Sequence, residues 1–224
     1  MPTTLKPRKM SKLNKYLIMV IVIGCMWAPL YAQDIDNTFQ TRTEFKLSYK
    51  LSKKWKIQAT PELRLDDSFS IDKYIIELKT IYNPFKKLAL GASYRFVANT
   101  RETKPTEYIQ RYAFDAKYNF KFDRWKPLLC LRYTNYSEDD ADGEFLRYKA
   151  GVEYNIRKCK LSPFAGAELF HEFNNQELFK VRYSLGSDYK LSKKHAISVA
   201  YKLDYYMQKF ENKHILYFGY KFKL

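Results

Sequence analysis

Histidines are the side chains of this sequence best suited to acid–base catalysis, because imidazole titrates near neutral pH. There are three, His171, His195 and His214. His195 follows two lysines at a predicted short turn, whereas His171 and His214 lie in separate predicted strands near longer loops. The sequence contains no Gly-x-Ser-x-Gly elbow, His-x-x-x-His pair or zinc-spaced cysteines. We therefore expect no catalytic residue, cofactor or metal site. The alternative is a lipid-acting enzyme with His171 or His214 as its base.

Charge and hydropathy restrict the class of protein. The 224 residues include 40 Lys and Arg against 24 Asp and Glu, a formal net charge of +16. The mean hydropathy of −0.52 excludes a bundle of membrane helices. The basic residues alternate along predicted strands or cluster at turns, as at Lys53 and Lys54, and do not form one patch with stacking aromatics. We therefore expect phospholipid head groups, and no nucleic acid, as partners of this charge.

Residues 1–32 have the order of a secretory signal peptide. Five basic residues precede an apolar stretch from Leu17 to Ala28, and a small residue, Ala32, follows. The stretch is shorter than the ~20 residues that a membrane helix needs. We predict cleavage near Ala32 and an exported domain over residues 33–224, whose net charge falls from +16 by five to +11.

Two other interpretations of this segment remain open, an uncleaved anchor and a lipoprotein acylated at Cys25. The exported domain retains Cys130 and Cys159, which fall in different predicted elements. We therefore expect no disulfide framework, and stability must come from the fold itself.

The exported domain alternates between apolar and polar residues with a period of two. From Phe39 to Leu51, the odd positions carry Phe, Thr, Thr, Phe, Leu, Tyr and Leu, and every position between them is polar or charged. This period is typical of a β-strand, whose successive side chains point to opposite faces. The pattern recurs to Leu224 and predicts about eleven strands of about 10–14 residues.

The predicted connections alternate between short turns and longer polar loops. The hexapeptide Tyr-Lys-Leu-Ser-Lys-Lys forms two of the short turns, at 49–54 and 189–194. These features predict an all-β fold, an antiparallel up-and-down transmembrane β-barrel of about 10–12 strands. Because single-chain bacterial barrels have even strand numbers, we expect that a count of eleven misses or splits one element, near residues 33–37. The alternative fold is a soluble, ligand-binding periplasmic barrel with an apolar interior.

Aromatic residues on the apolar face gather near both ends of the strands, as in the interfacial belts of membrane proteins. Those near the short turns are Tyr49, Trp55, Tyr82, Tyr118, Trp125, Tyr154 and Tyr189. Those near the long loops are Tyr74, Tyr94, Tyr108, Tyr133, Tyr148, Phe179 and Tyr205. This arrangement predicts that the apolar face points outward into lipid.

The charged face is then predicted to line the barrel interior. The lumen-lining candidates are Arg42, Arg64, Arg95, Arg111, Arg132, Lys149, Arg182, Glu62, Glu77, Asp115, Glu153 and Asp188. Across the whole interior, fifteen basic residues face eight acids. Mixed charges would pair across a narrow tube and close it, and the positive excess would favour small anions if water passes. Glycines on the same face, including Gly91, would make room for long side chains.

The acidic run from Glu138 to Glu144 lacks the spacing of an EF-hand calcium loop. A solvated loop is the main interpretation, and a weak divalent-cation contact to lipopolysaccharide phosphates is the alternative. The last strand alternates up to Leu224 and ends with Phe218, Tyr220 and Phe222. It resembles the tail by which the barrel-assembly machinery recognises outer-membrane barrels.

Several short motifs support a family resemblance. They are the two Tyr-Lys-Leu-Ser-Lys-Lys turns, Pro61 to Asp67 with Lys73-Tyr74, Gly91 to Phe96, and Leu185 to Leu191. With them, the exported domain resembles an uncharacterised family of bacterial outer-membrane barrels, family 2490 of the domains of unknown function. The resemblance implies a barrel in the cell envelope and implies no activity. We expect a protein of the Gram-negative outer membrane, in contact with its lipids, that is structural or forms a narrow anion-preferring pore.

Overall fold

The computed structural model describes residues 35–100, 105–136, 142–173, 177–207 and 211–224, which belong to one compact unit. The predicted signal peptide, the lipoprotein alternative at Cys25 and residues 138–141 of the acidic run lie outside the described residues. Within the described ranges, no helix is long and apolar enough to cross a membrane.

Eleven strands make up this unit. They are β1 (Asp36–Lys50), β2 (Trp55–Leu65), β3 (Ile71–Phe85), β4 (Leu88–Asn99), β5 (Glu107–Asn119), β6 (Trp125–Tyr136), β7 (Asp142–Tyr154), β8 (Leu161–Glu172), β9 (Glu177–Lys190), β10 (His195–Tyr206) and β11 (Glu211–Lys223). Each strand pairs with its neighbours in sequence, and β1 pairs with β11, so the sheet closes into a barrel. The predicted up-and-down barrel fold is confirmed.

The closing pair differs from the rest. Sequential neighbours are antiparallel, whereas β1 and β11 run parallel from Asp36 beside Glu211 to Ser48 beside Lys223. An odd number of alternating strands leaves the first and last pointing the same way, so closure must be parallel. The expectation of an even strand number is therefore wrong for the described residues. Asp36 and Asn37, which we expected near a missed element, begin β1 itself.

The period of two sorts the strand residues between the two faces of the wall. Along β9, Arg182 is 4% exposed, whereas the adjacent Tyr183 is 53% exposed. Outward aromatic residues stack between neighbouring strands, as Phe45 does on Tyr220, with ring centroids 5.2 Å apart. Charged side chains thus face the interior, and large apolar ones cover the outside.

The repeated hexapeptide builds the same turn twice. Ser52 Oγ accepts hydrogen bonds from the backbone N–H groups two and three residues later, at 3.2 and 3.1 Å. Ser192 Oγ accepts the equivalent bonds, both at 3.2 Å. In each copy the serine side chain satisfies backbone donors that the strand ladder leaves free. Both hairpins close on the same local chemistry.

One member of the predicted outer belts is placed differently. The register between β8 and β9 shifts between Phe170 and His171, which gives β9 one extra residue, Phe179. Such a bulge breaks the alternation of faces. The Phe179 ring lies 5.5 Å from that of Phe145 and 5.7 Å from that of Tyr206, both buried in the barrel. The prediction that Phe179 faces lipid is therefore wrong.

Candidate functional site in the barrel interior

A cavity of about 440 Å³ lies inside the barrel, and we call it the basic cavity. Its charged lining contains twelve bases and five acids. The bases are Arg42, Lys46, Lys56, Arg64, Lys79, Arg95, Lys117, Arg132, Arg147, Lys149, Arg182 and Lys202, and the acids are Glu44, Glu62, Glu77, Asp115 and Glu168. Residues from both ends of the sequence meet here because the strands close into a barrel.

Nine of the twelve lumen-lining candidates line this cavity. They are Arg42, Arg64, Arg95, Arg132, Lys149, Arg182, Glu62, Glu77 and Asp115. Arg111 is buried beside the cavity, with its guanidinium 5.0 Å from the centre of the Tyr136 ring. Nearer the short turns, Glu153 pairs with Lys126 at 2.6 Å, and Asp188 pairs with Lys221 at 2.7 Å.

The cavity acids are shared among several cations. Asp115 forms ion pairs with both Lys79 and Arg132, the latter at 3.1 Å. Glu168 lies 2.7 Å from Arg147 and 3.9 Å from Lys149. One carboxylate cannot neutralise two cations, so the pairing leaves a positive surplus in the cavity.

The pairing also leaves individual lysines without a counter-ion. Among the described residues, Lys56 and Lys117 form no ion pair or hydrogen bond. The charges that act most strongly on Lys56 belong to other lysines, Lys46 and Lys117 first among them. Lys117 is in turn repelled by Lys149. These lysines come from β1, β2, β5 and β7 and face one another across the cavity.

The interior near the long loops is filled by a different set of side chains, which we call the aromatic–ionic layer. Its members are Tyr136, Phe145, Phe170, Phe179, Lys180, Arg182, Asp204 and Tyr206. Phe145, Phe170, Lys180 and Asp204 are each 0% exposed. Asp204 accepts hydrogen bonds from Lys180 Nζ at 2.8 Å and Arg182 Nε at 2.5 Å.

Aromatic faces surround the cations of this layer. The Phe170 ring centre lies 4.3 Å from the Arg147 guanidinium and 4.7 Å from Lys180 Nζ. Arg182 approaches the same ring at 5.3 Å. The negative face of an aromatic ring attracts a cation, and the attraction grows when water is excluded. The layer thus stabilises its buried charges by combining a shared carboxylate with ring faces.

Sequence reasoning missed this layer, although a signal for it was present. Tyr136, Phe145, Phe170 and Tyr206 share the parity of the lumen charges and not that of the lipid-facing belts. All four lie at the long-loop ends of their strands. Aromatic residues on the charged face near one end of several strands indicate a packed interior at that end.

Gly91 shows how the interior accommodates long side chains. A Cβ atom at this position would lie 2.6 Å from Asp115 Oδ2 and 2.7 Å from Lys79 Cε. The absence of a side chain therefore leaves space for the ion pair between Lys79 and Asp115. This agrees with the prediction that inward glycines make room for long charged residues.

The histidines are distant from this interior chemistry. His214 Nδ1 lies 2.5 Å from Tyr201 Oη, Nε2 lies 3.0 Å from Asn37 Oδ1, and the ring stacks on the exposed Phe39. His171 belongs to β8 and not to the strands that flank His214. Within the described ranges, no group of three or more His, Cys, Asp or Glu residues could hold a metal ion.

Taken together, the fold and its interior define a closed all-β barrel with a charged interior and an apolar outer wall. A family model described as "Protein of unknown function (DUF2490)" matches residues 39–214. The chain belongs to this family, as the sequence motifs predicted. No match was found among the curated proteins compared with the chain.

Proposed function

We propose that the protein is an outer-membrane β-barrel whose interior is closed to free diffusion, with a structural role in the cell envelope and a water-accessible basic cavity on the short-turn side. The main support for a closed interior is the aromatic–ionic layer. Its Phe145, Phe170, Lys180 and Asp204 side chains are fully buried, so the long-loop half of the tube is packed like a protein core.

The outer wall supports the membrane location. Phe39, Leu78 and Leu185 are 61%, 56% and 66% exposed, and each lies on a face rich in other exposed apolar residues. A continuous apolar surface of this kind is unfavourable in water and favourable in lipid. A soluble barrel requires the opposite arrangement, with apolar residues inside. The predicted signal peptide is consistent with export, and long loops of such barrels face the outside of the cell.

Two adjacent residues of β9 give a matched test of the membrane location. Leu185 faces outward in mid-strand, and Ser184 lines the basic cavity. Leu185→Glu is expected to reduce the protein recovered in carbonate-washed outer membranes, because a charge then faces lipid. Ser184→Glu is expected to leave recovery unchanged, since its carboxylate enters a basic, hydrated space. Equal behaviour of the two variants, or release of the wild type by carbonate and high salt, would contradict the proposal.

Planar-bilayer recordings of the purified protein test the closed interior. We expect inserted wild-type barrels to be silent, because the aromatic–ionic layer leaves no continuous water path. Discrete, anion-selective conductance steps would overturn this part of the proposal and support the narrow pore instead.

We propose no catalytic role. An enzyme acting on lipid would depend on His171 or His214, whereas a structural barrel would not. Lipid turnover by the purified protein that disappears in His171→Ala or His214→Ala would contradict the proposal. Asn37→Ala is the matched control, because it removes a hydrogen-bond partner of His214 and keeps the imidazole itself.

A further inference from the structure

The basic cavity combines three features that a ligand site requires. It has a volume of about 440 Å³, a positive surplus and polar side chains such as Gln58 and Thr60 in its wall. It ends at the aromatic–ionic layer on one side, whereas on the other it is lined by Lys46, which lies near the short-turn end of β1 and has a side chain that is 29% exposed. A solute that enters from the side of the short turns therefore reaches a cavity that is closed at its far end by the aromatic–ionic layer.

We propose that the basic cavity binds a small, soluble anion that carries two or more phosphate groups. The inference rests on the proposed function in one respect, the closure of the cavity by the aromatic–ionic layer. It does not depend on the membrane in which the barrel resides.

The cations available to such a ligand are lysines. The guanidinium groups of Arg95 and Arg147 are engaged by Glu77 and Glu168, both at 2.7 Å. Lys56 and Lys117, by contrast, have no ion-pair partner within the described part of the chain. A lysine ammonium group acts as a flexible point charge that binds phosphate oxygens from many directions.

The positions of the lysines favour an oligophosphate over a single small ion. Lys56 projects from β2, Lys117 from β5 and Lys149 from β7, so the ammonium groups approach the cavity from separate parts of the wall. One chloride ion can contact only a few of them at once. A ligand with several anionic groups can neutralise lysines on different strands together, which removes their mutual repulsion.

Neutral partners complete the recognition. Gln58 and Thr60 line the same cavity and can donate hydrogen bonds to phosphate oxygens that do not reach a lysine. The Tyr217 ring also packs beneath Lys202, whose Nζ lies 3.9 Å from the ring centre. The site thus offers fixed neutral donors beside mobile cations.

Isothermal titration calorimetry of the detergent-solubilised full-length protein with inorganic tripolyphosphate provides the test. We expect one binding site per barrel and at least tenfold weaker binding by the double variant Lys56→Gln/Lys117→Gln. The matched control is Lys53→Gln/Lys54→Gln, which removes the same charge from the exposed turn between β1 and β2. It is expected to bind like the wild type.

Several results would overturn the inference. They are no tripolyphosphate binding by the wild type, equal weakening in the cavity and turn variants, or equally strong binding of chloride. Displacement of tripolyphosphate by anionic phospholipid micelles, with the same dependence on Lys56 and Lys117, would assign the site to a lipid head group and reject the soluble ligand. Lys56→Arg/Lys117→Arg keeps the charge and is expected to retain binding, which separates loss of charge from loss of fold.

The two proposals fail in different ways. Binding that persists in a barrel showing bilayer conductance would reject the closed interior and keep the oligophosphate site. A silent, membrane-inserted barrel without tripolyphosphate binding would reject the site and keep the proposed function.

Discussion

The two halves of the barrel interior contain the same kinds of charged residues but differ in how these residues are paired and buried. In the aromatic–ionic layer, Lys180 and Arg182 share Asp204 and are enclosed by rings. In the basic cavity, Lys56 and Lys117 lack ion partners within the described residues and remain partly exposed. Burying an unpaired charge costs far more free energy than leaving it partly hydrated. The acids and aromatic rings therefore determine which half can bury its cations, and the parity of the strand positions does not determine it alone.

The largest effect in this comparison is expected from Asp204→Asn. The change removes the carboxylate charge that serves two buried cations, and breaking such a buried pair costs about 3–5 kcal/mol. Urea unfolding of the protein in lipid vesicles measures the loss. Asp188→Asn is the control, because its pair with Lys221 is 22–31% exposed and is expected to contribute at most about 1 kcal/mol. Similar losses of unfolding free energy in both variants would mean that the two halves shield their charges from water to the same extent.

A smaller loss, of about 2 kcal/mol, is expected from Phe170→Leu. Leucine keeps most of the apolar volume but lacks the ring face that Arg147, Lys180 and Arg182 approach. Phe114→Leu changes an outward ring that is 55% exposed and is expected to change stability much less. Both variants can be compared by the same urea titration. An unchanged free energy of unfolding for Phe170→Leu would show that the cations do not depend on the ring.

The smallest predicted effect has the opposite sign. Lys56→Gln/Lys117→Gln is expected to raise stability by up to about 1 kcal/mol at low salt in phosphate-free buffer, because it relieves repulsion among cavity lysines. The gain should shrink at high salt, which screens water-accessible charges. Lys180→Gln, the same change in the aromatic–ionic layer, should lower stability at every salt concentration. Destabilisation by the cavity variant at low salt would contradict the comparison.

The sequence predicts which face of the barrel wall each residue occupies better than it predicts how the interior side chains pair. Alternation from Phe39 to Leu51 assigns each residue to a face, because a strand in a closed sheet has only two sides. The same rule brings nine of the twelve candidate residues to the cavity. Which acid pairs with which base depends on the register between strands. The sharing of Asp115 by Lys79 from β3 and Arg132 from β6 could not be derived from spacing along one strand.

Local breaks in the alternation account for the main error of placement. The extra residue in β9 turns Phe179 into the interior beside Phe145 and Tyr206, and no glycine or proline adjoins Phe179 to mark the bulge. Analogy with other bacterial barrels predicts an even strand number. The alternation along the sequence itself predicts eleven strands, and the described residues form eleven.

The parallel seam has a consequence for redesign of the chain. In a barrel closed by an antiparallel pair, the outer ends of the first and last strands lie on the same side, so a short peptide can join them. Here β1 begins beside the long loops and β11 ends beside the short turns. A circular permutant would therefore need a linker that spans the thirteen paired residues of the seam, about 40 Å along the strands. Epitope tags placed before β1 and after β11 would therefore lie at opposite ends of the barrel.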